Sequence, residues 1–191
     1  MAASISPTVG VIGEQASVAG TGFLSGATVT LDGVEARVIR LTSTSIIAIT
    51  PVHVAGTVDV VVTNPGGQRA TLTGGYTFVP FGAFSVAASP NVVTSGGQLT
   101  MSWVAPSGRG CLGGGDYVTL AHVGDPDITE AANGHSDLWY EHLCAAASGT
   151  LRLPAPPEPG QYEFRYMVGD AGVVARSSPV TVNAASASLS P

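Results

Sequence analysis

Short alternating runs of apolar and polar residues follow one another along the chain at roughly ten-residue spacing, which is typical of sandwiches and barrels. The runs are rich in Val, Thr and Ile, as in ATVTLDG and TVDVVVTN. Val58, Val60 and Val62 are expected to share one face, because strand side chains alternate. The NPGG that follows ends the strand, since Pro cannot donate to a ladder and Gly adopts positive φ easily. No stretch has a long helical period, and we therefore predict an all-β protein.

The alternating pattern of the predicted strands is interrupted at FVPFGAF, which contains a Pro and a Gly. We interpret residues 80–83 as a linker between a first domain, residues 1–79, and a second, residues 84–183. Each half has about the size of one small sandwich, and the two are not obvious copies of each other. The end of the chain is small and polar, so residues 184–191 are predicted to be a flexible tail.

Four segments of the first half together match one known module. They are ISPTVGVIGEQASVAGTGF, VTLDGVEARVIRLTSTSIIAITP, AGTVDVVVTNPGGQRA and YTFV. Over nearly all of residues 4–79 the chain resembles the IPT/TIG domain, an immunoglobulin-like module. The segment VIGEQASVAG departs from the family, which more often has Gly-Gly-Thr there. This departure touches a turn and leaves the expected fold unchanged.

The second half contains SWVAPSG, DYVTLAHVGDP and SGTLRLPAPPEPGQYEFRYMV, followed by ARSSPVTV. In these segments it resembles an immunoglobulin-like repeat of bacterial extracellular and phage proteins. PGQY is expected to form a tyrosine corner, in which the Tyr162 hydroxyl pins a crossing between sheets. Trp103 is expected in the core of this half. The fold prediction is therefore two tandem immunoglobulin-like β-sandwich domains.

Charge and hydropathy narrow the classes of partner. Only 10% of the residues are charged, the net charge is -6, and all seven basic residues are Arg. A nucleic-acid or anionic-membrane binder needs a basic stripe, which this chain lacks. No run approaches the roughly 18 apolar residues of a membrane span. The N-terminus has no secretory signal, so we expect either a chain made in the cytoplasm as it stands or a piece trimmed from a longer protein.

Residues 124–144 form the one polar-rich stretch. Asp125, Asp127 and His135 are its candidates for ligand binding, because oxygen-rich loops can hold Ca²⁺. Their spacing does not match an EF-hand, and the spacing of the histidines is not diagnostic of zinc. We expect a solvated loop without metal or cofactor, with calcium as the alternative. Trp139 and Tyr140 are candidates for contact with a sugar or a protein, or else one of them caps the core.

The sequence offers no pattern of an active site. No G-x-S-x-G motif occurs, and GRGCLGGGD lacks the Lys-Ser/Thr ending of a phosphate loop. His53 follows a Pro in a turn and is expected at the surface. We therefore predict that the protein is not an enzyme.

Two cysteines, Cys111 and Cys144, lie in the second half. We expect them to form a disulfide, which would stabilise the fold and place the finished protein outside a reducing cytosol. Two free thiols are the alternative.

These observations favour a protein that works through shape and contact. The first hypothesis is a structural or binding protein on a virion surface, such as a phage capsid decoration, head fibre or tail appendage, whose partner is a capsid or tail protein. The alternative is a spacer or adhesin module of a secreted or bacterial cell-surface protein, with a cell-surface protein or glycan as partner. Affinity in either case comes from packed interface area and a few anchor residues.

Overall fold

The structure is a computed structural model that describes residues 2–109, 115–127, 138–143 and 147–185. In this part of the chain, the regular structure is β-strand apart from two short 3-10 turns, Phe81–Ala83 and Gly169–Ala171. The predicted all-β, immunoglobulin-like fold is thereby confirmed. The predicted limits of the domains, the linker and the tail stay predictions.

The first sandwich contains eight strands in the spatial order β1-β3-β6-β5-β4-β7-β8-β2. Strand β5 pairs with β4 on one side and with β6 on the other, and it thus connects the two sheets. The strands are β1 (Ala2–Ser6), β2 (Val9–Gly10), β3 (Gln15–Gly20), β4 (Thr28–Leu31), β5 (Val34–Leu41), β6 (Ser45–Ile49), β7 (Gly56–Thr63) and β8 (Arg69–Phe78).

The second sandwich has one sheet in the order β14-β11-β9 and another in the order β10-β17-β15-β12-β13, with β16 also paired to β15. The strands are β9 (Ser85–Ser89), β10 (Val92–Thr94), β11 (Gln98–Val104), β12 (Asp116–His122), β13 (Trp139–His142), β14 (Ser148–Pro154), β15 (Gly160–Val168), β16 (Gly172–Arg176) and β17 (Val180–Asn183).

The two sandwiches share one topology that the sequence did not reveal. In each, the first strand is divided at a Ser-Pro step with a cis peptide bond, Ser6–Pro7 and Ser89–Pro90. The piece before the Pro joins one sheet, and the piece after it pairs in parallel with the last strand of the other sheet. The remaining strand pairs between described residues are antiparallel.

Strand β7 shows how the alternation produces the first core. Val58, Val60 and Val62 are 7%, 0% and 3% exposed, so the predicted shared face is confirmed as the buried one. On the other face Asp59 accepts a hydrogen bond from the Gly74 amide at 2.7 Å, where the pairing with β8 is irregular. In the NPGG turn, the Gly67 amide donates to the Asn64 carbonyl at 3.0 Å.

Both structural predictions for the second core are confirmed. Trp103 is 8% exposed within the core cluster and lies against Gly149, where a Cβ would be 2.2 Å from the indole. The Tyr162 hydroxyl donates to the Glu158 carbonyl at 2.7 Å, which makes it a tyrosine corner. The segment Pro154–Gly160 is thereby tied to strand β15.

The expectation that His53 is a surface residue is wrong. Its side chain is 13% exposed, and its ring stacks on Phe78 with 4.8 Å between ring centroids. The ring nitrogens lie 2.7 Å from the Val54 carbonyl and 3.3 Å from Asp32 Oδ2. A Pro in the preceding turn shows where the chain reverses but not which way the next side chain points.

Candidate functional site

A buried cluster of charged groups joins the two sandwiches. Arg109 follows β11 and donates through Nε to Asp116 Oδ2 at 2.9 Å, while its Nη2 binds Oδ1 of the same carboxylate. Its Nη1 donates at 2.7 Å to Oε2 of Glu14, which lies in the first sandwich. The Tyr166 hydroxyl donates to Asp116 Oδ2 at 2.7 Å. We call Glu14, Arg109, Asp116 and Tyr166 the junction cluster.

The junction cluster is closed to solvent. The side chains of Arg109, Glu14 and Asp116 are 4%, 7% and 5% exposed, and the guanidinium lies 5.3 Å from the centre of the Phe84 ring. A charge this far from water is tolerated when it is paired and its hydrogen-bonding capacity is used. Arg109 fulfils this condition, because its Nη1 also donates to the Val9 carbonyl at 3.1 Å.

Two glycines allow close packing at the junction cluster, Gly108 between the two sandwiches and Gly10 within the first. Gly108 has φ +88°, its carbonyl accepts from the Thr8 amide at 3.2 Å, and a Cβ there would lie 2.8 Å from Thr8 Oγ1. A Cβ on Gly10 would lie 2.1 Å from the Tyr76 hydroxyl and 2.2 Å from Glu14 Oε2. A larger side chain at Gly108 would therefore separate the two sandwiches, whereas one at Gly10 would displace Tyr76 or Glu14 within the first sandwich.

The first sandwich also contributes an apolar side chain to the second core. Val11 is 0% exposed and packs within the hydrophobic cluster of the second sandwich. Its amide donates to Glu14 Oε2 at 3.0 Å, and its carbonyl accepts from the Thr50 hydroxyl at 2.8 Å. The segment between β2 and β3 is thus held by both polar and apolar contacts.

Burial and pairing shift the proton affinities in the junction cluster. Burial raises the pKa of Glu14, and the charge of Arg109 opposes this shift. Burial lowers the pKa of Arg109, but the hydrogen bond to Asp116 and the charge of Glu14 outweigh it, so the pKa is raised. Burial and the Asp116 carboxylate raise the pKa of Tyr166. Arg109 therefore stays charged and Tyr166 stays neutral, as suits a fixed contact more than a proton-transfer site.

Sequence reasoning did not single out the junction cluster. Arg109 lies in the Gly-rich loop that was considered for phosphate binding, and Glu14 lies at a turn of the first half. The available signal was the scarcity of charge, because an Arg between two glycines in a weakly charged chain invites a search for its partner. The partner itself is 95 residues away, beyond the reach of any local pattern.

A second group of ion pairs holds two of the predicted site residues. Arg165 donates to Glu163 Oε1 at 2.8 Å and to the Asp125 carbonyl at 2.7 Å, and it lies 3.6 Å from Asp127 Oδ1. Arg176 pairs with both Glu163 and Asp127. The structure thus brings these acids together around two arginines.

The Asp125 carboxylate accepts from the His122 amide at 3.3 Å, so it too has a partner within the protein. Ligand binding by Asp125 and Asp127 stays a prediction. His135, Cys111 and Cys144 lie outside the described residues, and the proposals made for them stay predictions as well.

The two predicted aromatic contacts lie next to each other on β13 but face opposite ways. Trp139 is opposite Leu120 in the register, is half-buried, and approaches Phe164 edge-on with 6.5 Å between ring centroids. Tyr140 is opposite Thr119 and is 51% exposed. Trp139 therefore packs against the second core, and only Tyr140 presents a largely open ring. A role in ligand binding stays a prediction for both.

A groove runs beside Trp139, with a volume of about 340 Å³. It lies between β12 and β13 on one side and the end of β14 with the following proline-rich segment on the other. Its lining is mostly apolar and consists of Leu120, His122, Leu138, Trp139, Leu153, Pro154, Pro156, Pro157, Glu158 and Tyr162. We call it the edge groove.

Two further kinds of feature are absent from the part of the chain that the structure describes. There, no three His, Cys, Asp or Glu side chains come together as a set of metal ligands. Among the same residues, no helix has the length and apolar character needed to cross a membrane.

The comparison with protein families identifies the first sandwich. The family model of the IPT/TIG domain matches residues 3–79. The resemblance of this part of the chain to the immunoglobulin-like IPT/TIG module is thereby confirmed. The resemblance proposed for the second half stays a prediction, while its strand arrangement is that of an immunoglobulin-like sandwich.

Among solved structures, the extracellular region of plexin A4 shows the same fold at low sequence identity. The extracellular region of plexin A4 is 16% identical with a TM-score of 0.58, over 96% of this chain and 16% of that one. Gamma-CGTase from Alkalophilic bacillus clarkii is 16% identical with a TM-score of 0.37, over 95% and 26%.

The glucan-utilisation protein SGBP-B of Bacteroides ovatus, solved with a mixed-linkage heptasaccharide, is 15% identical with a TM-score of 0.35, over 94% and 44%. The chain thus spans less than half of each of these three proteins. No curated protein is significantly similar in sequence.

Proposed function

We propose that this chain is a non-catalytic binding and spacing module on the surface of a virus particle, where it docks on a capsid or tail protein. The observation that supports this best is the junction cluster. It fastens one sandwich to the other through buried ion pairs, so a contact made at one end holds the opposite end at a set distance. The resemblance of the second half to immunoglobulin-like repeats of phage and bacterial extracellular proteins supports the location.

The use of charge in the structure also supports a role without catalysis. Arg109, Arg165 and Arg176 bind carboxylates of the protein itself. The junction cluster, in which burial and pairing shift the pKa values, is closed to solvent, and a catalytic group must reach its substrate. The exposed surface is left for contact with a partner.

The alternative location is the surface of a bacterial cell, where the module would act as a spacer or adhesin toward a protein or glycan. Its fold is shared with the extracellular region of plexin A4, and this likeness in fold is compatible with either location.

Antibody labelling in the source material tests the proposal. An antibody against the purified chain should label intact virus particles in immunogold electron microscopy. Particles of a virus whose gene for this chain carries a premature stop codon serve as control. Label on cell envelopes in the absence of particles would replace the proposal by its alternative. Label on neither would contradict both.

A further inference from the structure

The two sandwiches differ at one edge, although their strands follow the same order. In the first, β5 pairs with β4 and also with β6, with Val38 opposite Ala48. In the second, the equivalent strand β13 pairs with β12, and β14, which is equivalent to β6, pairs with β11. Within the described residues, no ladder joins β13 to β14. The edge groove lies at this opening.

The walls of the edge groove are held in place by contacts beneath them. The Tyr162 ring lies against His122 at 4.5 Å between centroids, and its hydroxyl is fixed on the Glu158 carbonyl. Trp139 rests edge-on against Phe164. Binding to such a surface orders few side chains, and preorganisation of this kind favours affinity.

The lining indicates the chemistry of the occupant. Trp139, Tyr162 and three prolines provide aromatic and apolar surface, and Leu138 is 50% exposed at the rim. Glu158 is the one carboxylate in the lining, which contains no Lys or Arg. Aromatic-lined grooves accept extended, proline-containing peptides, and a carboxylate at the rim favours a basic side chain on them.

We propose that the edge groove binds an extended peptide segment of a partner protein, with apolar residues on Trp139 and Leu138 and a basic residue at Glu158. The first sandwich supports an extended occupant, because β5 pairs there with both β4 and β6, whereas no ladder of the described residues joins β13 to β14. The chain has a net charge of -6, which also favours a basic segment. The inference rests on the proposed function in that the partner is a protein.

A glycan is the less suitable occupant on the same observations. Sugars require several convergent hydrogen-bonding groups besides an aromatic platform. In the lining, the side-chain groups able to form such bonds are the Glu158 carboxylate, the His122 ring and the Trp139 indole N–H, and the Tyr162 hydroxyl already donates to the Glu158 carbonyl.

Solution NMR of the full ¹⁵N-labelled chain tests the inference with defined probes. The first probe is a capped synthetic peptide of alternating Val and Pro with one central Arg. The second has Glu in place of that Arg, and the third is a linear β-glucan oligosaccharide. We expect the Arg peptide to shift the Leu138 amide and Trp139 indole resonances, and the Glu peptide to bind about tenfold more weakly.

Two variants and one matched control locate the binding. Glu158→Gln is expected to remove the difference between the Arg and Glu peptides. Leu138→Asp is expected to weaken binding of the Arg peptide about tenfold or more. Leu24→Asp is the control, because Leu24 is also 50% exposed but lies in the first sandwich, and it should leave binding unchanged.

Three results would overturn the inference: no shift in the edge groove with either peptide, shifts with the oligosaccharide alone, or peptide binding that survives Leu138→Asp. Labelled particles without peptide binding would contradict this inference and leave the proposed function in place. Peptide binding without labelled particles would support the peptide-binding groove and contradict the proposed location on a virus particle.

Discussion

The two sandwiches share a strand order but are stabilised differently. The described part of the first one buries a single charged side chain, Glu14, and its edge is closed by hydrogen bonds from β5 to both neighbours. The second buries Arg109, Asp116, Glu163 and Arg165, and its equivalent edge holds a groove. Backbone pairing thus closes the edge of the first sandwich, while buried ion pairs and an open edge distinguish the second.

The difference shows what long charged side chains can add to a sandwich. Arg165 reaches the carbonyls of His122, Asp125 and Pro126, which belong to the end of β12 and the segment after it. Arg109 reaches across to the first sandwich in the same way. Arg165 thereby holds the segment after β12, and Arg109 holds Val9 and Glu14 of the first sandwich, at a desolvation cost that pairing must offset.

The largest effect is expected from Arg109→Met, which would strand the buried carboxylates of Glu14 and Asp116. Removing one partner of a buried ion pair costs about 3–5 kcal/mol. We therefore expect the free energy of unfolding in urea to fall by this amount. Residual dipolar couplings should show that the two sandwiches become mobile relative to each other. An unchanged relative orientation would contradict the role given to the junction cluster.

Arg165→Met is expected to destabilise the second sandwich somewhat less, by about 3 kcal/mol. The substitution removes one partner of the buried Glu163 carboxylate, but Arg176 still pairs with that carboxylate. Arg37→Met, on the exposed face of β5, is the control in the first sandwich and should stay within about 0.5 kcal/mol of the native chain. Equal losses of stability for Arg165→Met and Arg37→Met in urea denaturation would contradict the view that buried ion pairs stabilise the second sandwich in particular.

Two Tyr→Phe substitutions, one in each core, are expected to differ in their effect on stability. Tyr162→Phe loses the hydrogen bond to the Glu158 carbonyl and should cost about 1 kcal/mol. Among the described residues, the buried Tyr76 hydroxyl makes no hydrogen bond of normal geometry; burial raises its pKa, although the Thr50 side chain is near enough to oppose this shift. Tyr76→Phe should therefore cost little or stabilise the protein. Thermal unfolding of both variants checks this, and a larger loss for Tyr76→Phe would reverse the interpretation.

The smallest expected effect is a pH dependence from Glu14. Burial raises its pKa above the ordinary value of 4.5 in the folded protein. The folded state then binds the proton more tightly than the unfolded state does. The contribution of Glu14 to stability is thus greatest below pH 4.5 and is lost as the pH rises through the raised pKa. Urea titrations across this pH window should show that the free energy of unfolding declines less in Glu14→Gln than in the native chain. Identical pH profiles of the two proteins would contradict this prediction.

Much of the fold could be predicted from local pattern. The alternation of Val58, Val60 and Val62 marked the buried face of β7, and PGQY marked the tyrosine corner at Tyr162. These features depend on residues close together in sequence. The orientation of His53 was missed, because it depends on Phe78, which comes from a distant strand.

The candidate site was less accessible from sequence than the fold. Trp139 and Tyr140 were chosen for their aromatic rings, but the sequence did not show that β13 points them to opposite faces. The edge groove depends on the proline-rich segment after β14, which comes close to β13 only in the folded chain. Sequence reasoning therefore found one wall of the groove and missed the other.

The sequence by itself determined the strands, the turns and the immunoglobulin-like class, because side-chain alternation and turn chemistry act over a few residues. Only the tertiary structure decided that Glu14 meets Arg109, and that one sandwich closes its edge while the other leaves a groove. Such choices depend on which distant segments share a buried space, since a charge is stable there only beside its partner.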